Sequence, residues 1–168
     1  MRWQIYADNF LLHDSYLDDY QALNPLLEPE LNCPGSLTFE LPQNHENYDK
    51  VQKLSNIITA YQNGHLVFRG RVLDDTLDLY NTRQIACEGE LAFFIDTIQR
   101  PFSFPEDTEH TTPEDYLAFL LARHNAQVDE SHQFVLGTVT VQDPNEYIAR
   151  SDTEYSDTWT LMKQGLLE

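Results

Sequence analysis

The chain has 168 residues, with 28 acidic side chains against 10 lysines and arginines and a net charge of −18. That length suits one domain, or one and part of a second, and 41% hydrophobic and 12% aromatic residues mark a folded chain, not an acidic disordered tail. The charge opposes binding to phosphate backbones and anionic membranes, which needs clustered cations, and no apolar run nears the ~20 residues of a membrane span.

Residues 1–10 carry no long apolar stretch and no cleavage signature, so synthesis in the cytosol without the usual export signal is expected. Residues 2–7 alternate Trp3, Ile5 and Ala7 against Gln4 and Tyr6, a strand pattern. Asp8-Asn9 turns, and residues 10–14 return as a second strand. Pro25 and Pro29 exclude a central strand, which leaves a loop or an edge. Pro34-Gly35 is a turn dipeptide, and residues 36–41 then alternate Leu37, Phe39 and Leu41 with Ser36, Thr38 and Glu40. Tyr48, Val51 and Leu54, spaced by three, predict a helical turn or two lying on the sheet.

The centre of the sequence is residues 56–91. Two apolar runs flank Asn63-Gly64, which tolerates positive φ at both central turn positions and is a strong hairpin signal. Before it Ile57, Thr59 and Tyr61 alternate with Ile58, Ala60 and Gln62. After it Leu66, Phe68 and Gly70 oppose Val67, Arg69 and Arg71, running on through Val72 and Leu73. A turn at Tyr80-Asn81-Thr82-Arg83 precedes a third strand, with Ile85, Cys87 and Gly89 on one face and Ala86, Glu88 and Glu90 on the other. Three antiparallel strands make a stable meander that the rest covers or extends.

Leu91, Phe94, Ile95 and Ile98 share one helical face, ended by Gln99-Arg100-Pro101. Residues 101–111, with two prolines and an ionisable run at 106–110, form the best boundary. Thr112 can cap a helix, Pro113 suits its first position, and Glu114 and Asp115 favour its positive end. Tyr116, Leu117, Leu120 and Leu121 form its stripe, widened by Phe119, with Arg123 and His124 at its negative end. Residues 134–141 alternate as a strand and Asp143-Pro144-Asn145 turns. Ser156-Asp157-Thr158 can cap a last helix in which Trp159, Met162 and Leu166 share a face. The class expected is α+β, β-dominated: an antiparallel β-barrel-like domain at 1–100, then a smaller mixed helix and strand unit at 101–168. Two helices and one clear strand are too little for an independent core, so that unit is expected to be the truncated start of a further domain.

Chemistry-bearing residues form no constellation. The histidines His13, His45, His65, His110, His124 and His132 lack zincin spacing. His124 and His132 bracket a helix end and a loop, as a metal pair or as solvated loop histidines. Asp74, Asp75 and Asp78, between strands, lack calcium-loop spacing and read as a charged edge that blocks sheet-to-sheet aggregation. Glu88 and Glu90 share a face and could act as acid and base in a glycosidase, but no second motif supports them. Arg69 and Arg71 suit ion pairs with a neighbouring strand, or an anion site. Ser151 and Ser156 lack nucleophile-elbow context, and Gly70 and Gly89 mark bulges or close backbone packing. Cys33 and Cys87 fit either one disulfide or two thiols, with Cys87 a small core residue. No catalytic, cofactor-binding or metal residue is assigned.

One further signal lies in motif order. Asn32-Cys33-Pro34-Gly35-Ser36-Leu37-Thr38-Phe39 is followed by Pro42, His45, Asn47-Tyr48-Asp49 and Leu54, then by a dense stretch from Val67-Phe68-Arg69-Gly70-Arg71 through Cys87-Glu88-Gly89-Glu90 to Pro101. His124-Asn125-Ala126-Gln127-Val128, the pattern Gly137-x-Val139-Thr140-Val141, and residues 155–159 extend it. This order resembles the N-terminal region of phage and prophage tail proteins of the baseplate-hub, or tail-associated lysin, family of Gram-positive hosts. The resemblance implies a virion structural protein made in the bacterial cytoplasm. It would form a homotrimeric ring at the tail tip, between tube and tip components, through which DNA passes without specific binding and with no membrane contact. Some relatives carry a peptidoglycan-degrading domain far downstream, and no family catalytic residue maps here, so no enzyme activity is expected. Acids lining the lumen would repel sliding DNA. The alternatives are an acidic binding module, for carbohydrate or as a DNA mimic for a protein, and a hydrolase using Glu88 and Glu90.

Overall fold

The computed structural model describes residues 1–105, 111–142 and 148–167. The ionisable run at 106–110, with His110, and the expected turn at Asp143-Pro144-Asn145 lie outside the described residues. Strand accounts for 38% and helix for 22%, so the protein is α+β with β dominant. The chain forms two compact units, Met1–Ala92 and Phe93–Glu168. Their division falls earlier in the chain than the change in sequence character at Pro101.

The first unit is one antiparallel sheet curled into a half-barrel. Its strands are β1 (Trp3–Ala7), β2 (Phe10–Asp14), β3 (Leu23–Glu28), β4 (Ser36–Leu41), β5 (Ile57–Gln62), β6 (His65–Leu77) and β7 (Arg83–Gly89). Their order is β2-β1-β5-β6-β7-β4-β3. The meander β5-β6-β7 is at its centre, joined by the Asn63-Gly64 turn with φ of 51° and 82°. Period-two alternation puts Ile5, Leu37, Phe39, Ile58, Val72 and Ile85 into one buried core. The opposite face is polar, with Thr59, Arg69, Arg71 and Glu88 only partly buried.

Proline chemistry places β3 at the sheet margin, since Pro25 cannot donate to a ladder and the register slips between Leu23 and Leu26. A 3-10 turn, Tyr48–Lys50, carries Tyr48 against the core and leads to buried Val51, but Leu54 is exposed with a φ of 56°. Asp74 and Asp75 do not lie between strands. β6 runs on for 13 residues, and after a register shift past Val72 it pairs Asp74 with Ala86 and Asp75 with Ile85.

In the second unit, α1 (Pro113–Asn125) begins at a capping box. The Thr112 hydroxyl accepts from Asp115 N at 3.2 Å, and the Asp115 carboxylate accepts from Thr112 N at 2.8 Å. The segment expected as a one-face helix is instead a 3-10 helix, Glu90–Asp96, which enters this unit from the first. It buries the consecutive Ala92, Phe93 and Phe94 and leaves Ile95 and Ile98 exposed. Three residues per turn present a different face from 3.6.

Residues 134–141 keep the alternation of a strand but form no ladder among the described residues. Asn125 fixes them by exchanging hydrogen bonds with Phe134 backbone (2.8 and 3.0 Å), and the Phe134 ring stacks on Phe94 at 4.2 Å. The short strands β8 (Ile98–Gln99), β9 (Phe102–Phe104), β10 (Arg150–Asp152) and β11 (Ser156–Asp157) pair as β10-β9 and β11-β8. The last helix, α2 (Thr158–Met162), widens to a π turn at Lys163–Leu167, so Thr158, Leu161 and Met162 are its buried residues.

Backbone closeness sets one strict requirement. A Cβ on Gly89 would lie 1.8 Å from the Pro34 carbonyl oxygen. Gly89→Ala is expected to lower unfolding stability by at least about 2 kcal/mol, read from urea denaturation, because backbone must move on both sides. A change of a few tenths would refute the packing described.

Candidate functional site: a cleft free of carboxylates at the open side of the half-barrel

The curl of the sheet brings residues from its two margins to one place. Trp3, Ile5 and His13 from β1 and β2 face Leu26, Leu27 and Leu37 from β3 and β4 across a cleft of about 400 Å³. None of the residues lining it is acidic. In a chain of net charge −18 this is an unusual surface, apolar and open.

Both margins of the sheet are protected against adding another strand. At β2, His45 Nε2 bonds Leu12 O at 2.8 Å, Asn47 Nδ2 donates to Leu11 O at 2.9 Å, and Asp14 N donates to Tyr20 O at 2.8 Å. At β3, Pro25 and the bulge interrupt the edge. The gap between them therefore stays open as a cleft.

Two buried polar residues, His13 and Asp14, follow each other on β2, and His13 lines the cleft. Asp14 is fully buried and accepts from Arg2 Nε at 3.1 Å, Arg2 Nη2 at 2.5 Å and Gln4 Nε2 at 3.0 Å. The hydrogen bonds from Arg2, above all, hold its carboxyl below the usual carboxylate range. His13 is 7% exposed, and its Nδ1 has no hydrogen-bond partner. Burial pushes its pKa down, against the opposing pull of the Ala22 backbone bond and Asp14. Sequence reading weighed His13 only among histidines that lack zincin spacing and did not single out Asp14. Leu12, His13 and Asp14 are buried in succession, which breaks the period-two pattern that would have flagged one of them.

All four arginines of this unit are tied to its own carboxylates. Besides Arg2, Arg71 Nε meets Glu88 at 2.7 Å, Arg69 Nη1 meets Glu90 at 2.7 Å, and Arg83 Nη2 meets Asp75 at 2.5 Å. Arg83 also donates to the carbonyls of Tyr48 and Val51, the latter at 2.7 Å. The residues weighed as a glycosidase pair, Glu88 and Glu90, thus each face a guanidinium, and Arg71 and Glu88 are direct cross-strand neighbours.

The other candidates scatter. Asp78 accepts from the backbone of Tyr80 and Thr82, both at 2.8 Å, and so organises a turn. His65 is exposed. His124, expected as a metal partner or a solvated loop residue, is instead fully buried in α1. Its Nδ1 meets the Thr97 hydroxyl at 2.8 Å and its Nε2 the His132 carbonyl at 3.1 Å, and burial lowers its pKa. Thr97, Thr158 and Gln99 continue that network, with Gln99 Oε1 unpartnered. All four are closed to solvent, so this is a structural network and not a site. Ser156 donates to Asp152 at 2.6 Å, and Ser151 pairs with Ser103 in a short ladder. Cys33 and Cys87 are not joined by a disulfide, and burial pushes the Cys87 thiol up to about 12. Among the described residues no three metal-binding side chains converge, and no helix is long and apolar enough to cross a membrane.

No protein-family model matches this sequence, and no curated protein matches it.

Two expectations follow from the buried groups. Below about pH 6.5 the unfolded chain protonates at His13 and His124 while the folded chain resists, so stability falls as pH drops through that range. Asp14, with its folded pKa depressed, adds a second loss below about pH 4. Urea midpoints measured from about pH 7.5 downward should decline in that order, and His13→Gln should flatten the first decline; a flat wild-type profile down to about pH 5 would contradict this. Arg83→Met should cost about 3 kcal/mol by stranding Asp75, and adding Asp75→Asn should recover part of it. No recovery in the double variant would mean the pair is not coupled.

Proposed function

We propose that this chain is a structural subunit of a phage or prophage tail tip or baseplate hub, acting by assembly and not by catalysis. In this role it forms a ring, as a homotrimer, that joins the tail tube to the tip and lets DNA pass. The observation that carries the reading is the curled antiparallel half-barrel whose arginines are all committed to internal carboxylates. A wall past which DNA slides must hold no guanidinium free to capture phosphate, and net negative charge keeps the polymer off it. The protected strand edges support the same role, because they stop copies from joining into an unlimited sheet. The ordered motifs that resemble tail-hub proteins, densest across β6 and β7, point the same way.

The test is genetic and visual. Particles induced after deletion of this reading frame, from the phage or prophage that encodes it, are expected to lack normal tail tips by electron microscopy, and supplying the chain in trans should restore them. Normal tips in the deletion would sink the hub reading. The acidic binding module would then stand first, with the carboxylate-free cleft as its ligand site.

A further inference from the structure

The hairpin tip between β6 and β7 is built to be rigid and yet displays apolar side chains. Asp78 N donates to Thr82 O at 3.0 Å, Asn81 N donates to Asp78 O at 3.2 Å, and the Asp78 carboxylate takes the Tyr80 and Thr82 amides. The Tyr48 hydroxyl donates to Asn81 O at 2.7 Å, and Arg83 anchors the base of the turn to Tyr48, Val51 and Asp75. From this frame Leu77, Leu79 and Tyr80 are 64%, 98% and 83% exposed. A preorganised loop loses little freedom on docking, and tyrosine is among the residues enriched in binding hot spots.

The register puts this tip and the cleft at opposite ends of the sheet. On β4, Leu37 beside the cleft pairs with Cys87, whereas Leu41 pairs with Arg83 at the tip. On β1, Trp3 beside the cleft pairs with Gln62, next to the Asn63-Gly64 turn, and β6 runs from that turn to the tip. The tip therefore cannot reach the cleft of its own unit.

We propose that the Leu79-Tyr80 tip of one copy seats in the cleft between β1-β2 and β3-β4 of a second copy. Charge restricts where two copies can touch. Two copies of a −18 chain repel over most of their surface. Contact is favoured where both sides are free of uncompensated acids. The cleft has no carboxylate in its lining, and the one carboxylate of the tip is already bonded to backbone amides. Strand addition at the margins is hindered by Pro25 and by the His45 and Asn47 caps, so an occupant would enter the cleft by its side chains and not as an added strand. A convex patch meeting a different, concave patch is a heterologous contact. Such contacts close into rings or run on as filaments, according to the rotation between copies. The inference deepens the hub reading by naming the contact between copies, and rests on it only for self-association.

The experiment is light scattering on the full 168-residue chain across a concentration series, with tip variants Leu79→Ser and Tyr80→Ser and a cleft variant Leu26→Asp. These side chains are exposed, so folding is expected to survive, which circular dichroism checks. Leu79→Met and Leu26→Met, which keep apolar contact, should assemble like the wild type. Each disrupting variant should raise the half-assembly concentration about ten-fold or more. A tip variant mixed with the cleft variant should give a 1:1 complex, since one intact tip and one intact cleft remain. A wild-type assembly that neither class of variant weakens would overturn this contact and leave the ring intact. Tip-dependent mass that grows without a plateau would support the contact and remove the closed ring. A wild type monomeric at every concentration would overturn the contact, while the deletion phenotype would still judge the hub reading separately.

Discussion

The carbonyl of Pro34 crosses the backbone of Gly89 at a distance where no side chain fits. Gly89 N donates to Gly35 O at 3.2 Å at the same crossing, and Gly70 sits opposite Gly89 in the ladder, its own missing Cβ only 2.0 Å from the Glu88 carbonyl. This contact lets β4 enter beside β7 and not elsewhere. β3 follows from β4, and the margin of the sheet then comes round to face β1 and β2. The half-barrel, its cleft and the reach of the β6-β7 hairpin all depend on two residues that contribute no side chain. Both glycines lie in the central meander, Gly70 on β6 and Gly89 on β7.

Charge acts as a second constraint, through where it is neutralised. A chain with so few cations could have left them exposed as anchors for a polyanion. Instead each arginine of the first unit is bound to a carboxylate of that unit, and Arg83 serves two backbone carbonyls as well. Exposed pairs of this kind stabilise little, but partly buried ones fix geometry, because a stranded partner is costly. The guanidinium groups of the unit are thereby held by its own carboxylates, and the remaining acids define what the unit repels.

Local patterns were legible in the sequence and assembled ones were not. Asn63-Gly64 announced its hairpin through positive φ, the capping box announced α1 through Thr112 and Asp115, and Pro25 announced an edge. These signals are written within a few residues. The cleft draws on five strands from Trp3 to Ala60, so no window of sequence contains it. Asp14 was invisible for the same reason, since its partner Arg2 meets it only once β1 and β2 pair. In the second unit, 3-10 and π geometry replaced the expected α-helical turns, and the burial of Phe93 beside Phe94 does not follow a 3.6-residue period.

Residues 135–141 carry a consequence that belongs to time and not to shape. They hold the side-chain pattern of a strand with no ladder among the described residues, anchored at Phe134 by Asn125. Backbone amides outside a ladder are unprotected, so their hydrogens exchange with solvent through the smallest local openings, while those of β5, β6 and β7 wait for far larger ones. The same chain thus keeps two clocks, a fast one in this segment and a slow one in the meander.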